Sequence, residues 1–386
     1  MRCSTAAALP LLLAVTTASA SSATNASSIP GVYSTDTVDF IRALPECELH
    51  VHIEGTLSSE LLFELAERNN VTLDAGNFSS PDAVRERYRN FSGLEDFVQV
   101  SEAQMGVFVT EQDYSDLAYD YLKRSHYDGL AYAEVNFLPE GHFPRGISPE
   151  TVIGGLKKGL ERGSKEFNIA TNLFSCFSKS HNHTAIKETI DALAPYARSG
   201  DLVGLGAAGV EDGFPPVEFE EVYEYAKSSG FQHFTIHAGE TGPPDYVRQA
   251  AFDLNLTRID HGISAAQDPA LLAELATKSQ AEGLHLTVCP LSNVALKVYP
   301  EVKDSPLKTF LDAGIKLSLS TDDPTFFGGF ILQVYLETQK AFHLDKTTWR
   351  RIVQDSIDAA WASESVKEEL TGRLGAVMAE WERKEI

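Results

Sequence analysis

Two histidines stand two residues apart in the tract Glu48-Leu49-His50-Val51-His52, and two adjacent carboxylates, Asp322 and Asp323, follow a late apolar run. Between them in the sequence lie His237, followed three residues on by Glu240, and His261. Alternate side chains of a strand share a face, so His50 and His52 point the same way. Two imidazoles meeting there suit a borderline-soft divalent ion such as zinc, and neighbouring carboxylates repel unless a cation or a proton intervenes. Each feature alone has a plainer reading: a hydrogen-bonded histidine pair, a helix-capping Glu, a core histidine, or an acidic turn before Pro324. Together, three histidines and one aspartate make a metal site with room for water, and a bound ion lowers that water's pKa towards neutral. Hydrolysis of this kind needs an acid to protonate the substrate. Glu240 is the nearby carboxyl placed for it, with His261 to hold or relay a proton. The chemistry read from these residues is mononuclear metal-assisted hydrolysis.

What must position them is a set of short apolar runs. Eight read as strands, over residues 47–53, 131–137, 169–177, 202–210, 234–238, 258–263, 284–288 and 315–320. Their near-continuous apolar character is that of parallel strands covered on both faces. Helical patterns recur between them, over 58–68, 112–127, 149–163, 184–197, 216–229, 245–254, 268–280 and 306–313. The first shows the logic: Leu61, Leu62 and Leu65 at helical spacing, Ser58 at the cap position and Glu60 in the first turn. The alternation predicts an α/β chain folded as a (β/α)8 TIM barrel, each helix crossing over to the next parallel strand. Such a barrel gathers its active site at the strand C-termini, where the histidines and acids above fall. Beyond Phe330 the pattern gives only helices, with Trp349, Trp361 and Trp381 read as packing on the outside. Residues 70–110 form the longest insertion, either a lid or a structural subdomain.

With 386 residues, 43% of them hydrophobic, the chain can bury a large core. Its 55 acidic against 32 basic residues give a net charge of −23, a field that repels phosphate backbones and anionic lipid. The expected partner is a small molecule, with no nucleic acid and no membrane. Residues 1–20 have the composition of a signal peptide: a basic Arg2, an apolar stretch over 6–15 and small residues at Ala18-Ser19-Ala20. Residues 21–36, rich in Ser, Ala and Asn, read as a flexible arm, and 37–386 as the barrel. Six asparagines stand in N-x-S/T sequons: Asn25, Asn70, Asn77, Asn90, Asn182 and Asn255. A secreted, glycosylated protein is expected, with a cytoplasmic one as the alternative if the gene start is mis-joined. If the leader is removed, Cys47, Cys176 and Cys289 remain, an odd number in apolar runs that argues for free buried thiols.

Five tracts in this order resemble the adenosine/adenine deaminase family of the metal-dependent amidohydrolase superfamily: residues 48–56, 237–240, 258–262, 289–293 and 320–324. The likeness runs from about Thr37 to the C-terminal helices. It implies one zinc ion per subunit held by His50, His52, His237 and Asp322. It further implies that Glu240 protonates the purine N1, His261 supports the attacking hydroxide, Asp323 meets the N7 side and the Gly209 N–H meets N3. The implied reaction is hydrolytic loss of ammonia from a 6-aminopurine. Residues 110–114, 141–148 and 326–329 look like the adenine deaminase branch, and bulky Phe326 and Phe327 near the ribose side would exclude a sugar. Adenine is therefore the expected substrate, with adenosine or a modified 6-aminopurine as the alternative. The chain departs from that branch at Leu138, where Asp is usual, at Thr241, where Glu is usual, and in Cys176-Phe177-Ser178-Lys179-Ser180, which lacks an Arg-His pair.

Overall fold

The computed structural model describes residues 33–386; the expected signal peptide and most of the expected arm lie outside the described residues. The first element is the helix Thr35–Ala43, which starts inside the stretch read as arm. Ser34 caps it by accepting from the Thr37 N–H, and Phe40 and Ile41 bury its inner face. That cap and apolar pair order the chain earlier than its composition implies.

Eight parallel strands follow: β1 Glu46–His52, β2 Leu130–Phe137, β3 Ala170–Ser178, β4 Gly204–Ala208, β5 in two pieces (His233–Phe234 and His237–Ala238), β6 Arg258–His261, β7 His285–Val288 and β8 Lys316–Leu319. The break in β5 is where the ladder changes neighbour: the Thr235 N–H donates to Leu205 O, and Ile236 O accepts from the Asp260 N–H. The barrel closes where the His52 N–H donates to Asp322 O at 2.9 Å and the Asp322 N–H donates to His50 O at 3.1 Å. Closure thus runs through three of the four expected metal ligands, His50, His52 and Asp322.

The expected helices are all present, and most begin where a side chain can satisfy the free amides of a first turn. Ser58 accepts from the Leu61 N–H, Ser148 from Thr151, Asn182 from Ala185, and Asp268 from Ala270 and Leu271. Residues 70–110 contain two helices, Pro81–Tyr88 and Leu94–Gln104. Their Tyr88 and Phe97 rings pack on Phe326 and Phe327, at 4.3 Å and 4.9 Å between centroids, tying the insertion to the loop that follows Asp323. The chain ends in three outer helices, Ile331–Phe342, Lys346–Ala359 and Glu364–Glu380. Trp361, between the last two, does more than pack. The Arg258 guanidinium lies 3.7 Å from its ring centroid, and both the Arg258 side chain and the Trp361 N–H donate to buried Glu134.

The helices Glu111–His126 and Pro149–Phe167 approach closely because Gly155, Gly159 and Gly163 recur on one face. A Cβ at Gly159 would collide with the Ser115 carbonyl and the Ala118 side chain. Gly159→Val should lower stability by about 1–3 kcal/mol or more, the cost of overpacking a filled contact. Denaturant unfolding checks this, and a midpoint equal to that of the parent chain would contradict it.

Candidate metal centre and acid–base site

Alternation along β1 points His50 and His52 into the barrel mouth, as the two-residue spacing requires. His237 reaches the same point from the end of β5 and Asp322 from just past β8. Asp322 and His261 both have left-handed backbones, at φ 65° and 62°, rare for residues with side chains. That geometry explains how neighbours in sequence share one cavity: Asp260 and His261 both turn inward, as do Asp322 and Asp323, where a regular strand would send one of each pair outward.

Four donor atoms converge. His50 Nε2 lies 3.1 Å from His237 Nε2 and 3.2 Å from Asp322 Oδ1. His52 Nε2 lies 3.3 Å and 3.4 Å from the same two atoms. All four residues are buried. The outer ring nitrogens fix which atoms carry protons. His237 Nδ1 is 3.0 Å from Ala207 O, which can only accept, so His237 turns the lone pair of Nε2 to the cluster. Thr287 donates to Asp260 Oδ1 at 2.7 Å, so its oxygen accepts from His50 Nδ1 at 3.0 Å, and His50 also has Nε2 free to bind an ion. Lone pairs and a carboxylate oxygen this close need a positive charge between them. The site's electrostatics agree: burial alone would lower His50, but Asp260 and Asp322 raise it to about 9, while burial lowers His52 and His237. The cluster calls for one cation, a proton or a metal ion. The separations match the edges of about 3.3 Å that a tetrahedron has at metal–ligand distances of about 2.0–2.1 Å. The donor set therefore fits a divalent ion with nitrogen and oxygen ligands.

A second group, His261, Cys289 and Asp322, is less suited. Burial pushes the Cys289 thiol well up, so it stays protonated rather than becoming a thiolate ligand. His261 stands off the cluster, with Nε2 3.8 Å from both Asp322 Oδ2 and Glu240 Oε2. Burial lowers it to about 3, so it is a neutral imidazole, and Nε2 has no hydrogen-bond partner among the described residues. Asn293 Nδ2 donates to Glu240 Oε1 at 3.0 Å and lies 3.4 Å from His261 Nδ1, joining acid and imidazole through one amide. Glu240 itself is held well above the usual carboxylate range by burial, with the charges of Asp322 and Glu211 adding to it. Asp323 is raised in the same way by burial, Asp322 and Glu54. Asp322 is the contrast: burial raises it, yet the imidazoles of His50, His261 and His52 bring it well below the carboxylate range. The two carboxyls of one acidic pair are thus shifted in opposite directions. Gly55 makes this possible, because a Cβ there would overlap Asp323.

Gly209 follows β4 directly, at φ 92°. All eight expected site residues thus stand in the last residues of a strand or just past its end. The sequence reading did not assign Thr287, Asp260, Ser292 or Asn293, whose hydrogen bonds fix His50, Asp322 and Glu240. Ser292 and Asn293 lie in a tract already noted for its resemblance, which was the available signal. Of the departures, the Leu138 side chain packs on the cluster of Phe174, Cys176 and Ala208 while its backbone N–H donates to Glu54 at 3.0 Å, and Thr241 is exposed.

Comparison with known proteins adds three findings. A profile described as adenosine deaminase matches residues 45–377. The chain is 39% identical over 348 residues to adenine deaminase of Gibberella zeae, covering 89% of this chain and 96% of that one, and 39% identical over 346 residues to that of Saccharomyces cerevisiae, covering 89% and 99%. A crystal structure of adenine deaminase from Arthrobacter aurescens superposes with a TM-score of 0.81 at 33% identity, over 87% of this chain and 99% of that one.

The purified protein should contain about one divalent ion per chain, and Asp322→Ala should lose most of it while His261→Ala keeps it. Elemental analysis of the two variants decides this; equal retention in both would place the ion elsewhere.

Proposed function

The chain belongs to the adenosine deaminase family, and from that premise we propose that it is a zinc-dependent aminohydrolase converting adenine to hypoxanthine and ammonia. The observation that carries this is the meeting, in the buried mouth of the barrel, of the His50–His52–His237–Asp322 cluster with Glu240, whose carboxyl burial holds well above the usual range. The names of the relatives support the free base as substrate. So does the aromatic cluster of Phe326 and Phe327 with Tyr88, Phe91 and Phe97, a bulky wall beside Asp323.

A zinc ion held by the four ligands would lower the pKa of water towards neutrality and so supply the nucleophile. The protein's own groups do the rest. Glu240, kept protonated by burial, donates to N1 as C6 is attacked, which makes C6 more electrophilic and offsets the negative charge that develops on the ring. The Gly209 N–H meets N3, and Asp323, protonated beside ionised Asp322, donates to N7. His261, neutral and with Nε2 facing Asp322 and Glu240, orients the attacking oxygen and accepts or returns its proton. The leaving amino group departs as ammonia once protonated. Burial of the four ligands, Glu240, His261 and Asp323 keeps competing water away and strengthens these interactions.

Ultraviolet absorbance should change when the enzyme is given adenine and change little with adenosine; the reverse would mean that the aromatic wall leaves the ribose side open. Glu240→Gln should retain metal and lower kcat by at least about 100-fold, and near-normal turnover would remove Glu240 from the mechanism. Because the protonated carboxyl is the working form, kcat/KM should hold level below its pKa and fall as pH rises through it; Glu240→Gln should abolish that limb.

The proposal extends to a secreted, glycosylated enzyme. Asn70, Asn90, Asn182 and Asn255 are exposed, which supports glycan access. N-terminal sequencing of native protein beginning at Met1 would count against secretion.

A further inference from the structure

Lys179 and Glu211 are buried charged groups to which the reaction above gives no direct step, although the charge of Glu211 helps to raise Glu240. Lys179 lies just past the end of β3, in the tract that departs from the adenine branch, and Glu211 lies beyond β4. Both reach the turn after β5. The Glu211 carboxylate accepts three backbone N–H groups of that turn, from Gly239 at 3.1 Å, Glu240 at 3.2 Å and Gly242 at 2.5 Å. Lys179 Nζ donates to His237 O at 2.9 Å and stands 4.0 Å from Glu211 Oε1. The segment 237–242 is thus held at one carbonyl by a cation and at three amides by an anion.

Two glycines make room. Gly239 has φ 78°, and a Cβ there would press on Val247 and Ser264, while a Cβ at Gly242 would overlap the Glu211 carboxylate. The His237 ring has its own anchor, the Ala207 carbonyl. The ligand can therefore keep its place when the clamp is loosened. Among the described residues the Glu240 side chain has only Asn293 as a close hydrogen-bonding partner, so its aim depends on the backbone beneath it.

We propose that Lys179 and Glu211 form a buried ionic clamp that positions Glu240 for proton transfer, with no contact of their own to substrate. The clamp rests on the reading of Glu240 as the acid. It also accounts for the departure at Lys179, since any cation that can reach the His237 carbonyl and face Glu211 serves there.

The experiment compares Glu211→Gln, Lys179→Met and Lys179→Arg with the parent holoenzyme and with Glu240→Gln. The readouts are metal content, thermal midpoint, and kcat and KM for adenine. Glu211→Gln turns an amide NH2 towards backbone donors, and a misplacement of an ångström at an acid costs up to about 100-fold in rate. Glu211→Gln and Lys179→Met should therefore lower kcat by about 10–100-fold, with KM within about 3-fold and metal content unchanged. Lys179→Arg should recover most of the kcat lost in Lys179→Met. The Lys179→Met/Glu211→Gln double variant should lose little more than either single one, as parts of a unit do.

Parent-like kcat in Glu211→Gln, or a kcat loss that merely tracks loss of metal, would overturn the clamp. If Glu211→Gln does not fold, the Lys179 pair reads the same device from its other end, and equal kcat in the Met and Arg variants would overturn it. A fully active Glu240→Gln would instead overturn the reading of the acid, a separate failure.

Discussion

Three imidazole nitrogens and a carboxylate oxygen are forced to within 3.1–3.4 Å of their neighbours in the mouth of a closed barrel. Lone pairs do not gather in this way without a cation, and the surrounding structure exists largely to impose it. Barrel closure itself passes through it, because the amides of His52 and Asp322 are the hydrogen bonds that join the first strand to the last. Thr287 and Ala207 turn the imidazoles so that the correct nitrogens face inward, and Ser292 fixes the carboxylate at 2.6 Å. Outer hydrogen bonds of this kind set both the geometry and the basicity of the ligands.

The charges then sort one another. The imidazoles around Asp322 pull its carboxyl well below the usual range, while burial and the charge of Asp322 push Glu240 and Asp323 well above it. Carboxyls of the same type thus take opposite roles according to their surroundings, as an acid–base mechanism at neutral pH requires. A divalent ion held by the four donors would strengthen the contrast for Asp322.

Much of this was legible in the sequence for identifiable reasons. The apolar runs and helical patterns are local, so the eight strands and their crossovers could be read with errors at their ends and at the break inside β5. Composition hid the helix Thr35–Ala43, since its cap and its two apolar anchors are outnumbered by small polar residues. The two-residue spacing of His50 and His52 reports a shared face directly. Asp260 with His261, and Asp322 with Asp323, are different: strand alternation would divide each pair between faces, and only the left-handed backbone at His261 and Asp322 keeps both members inside. That twist leaves no mark in residue type. The supporting groups were harder still. Thr287 to His50, Ser292 to Asp322 and Lys179 to His237 are contacts between strand ends far apart in sequence, and a Thr, a Ser or a Lys carries no motif of its own. The aromatic pair Phe326 and Phe327 was read as a filter for the sugar; the structure adds that these rings are the seat on which the 70–110 insertion packs.

The proposed nucleophile and acid both depend on where a cation and a purine sit relative to one another. The most direct measurement is anomalous diffraction at the zinc edge from crystals of the holoenzyme grown with hypoxanthine. One peak should appear enclosed by His50, His52, His237 and Asp322, with the purine N1 within hydrogen-bonding distance of Glu240. A peak at His261 and Cys289 instead, or a purine whose N1 faces away from Glu240, would contradict the mechanism.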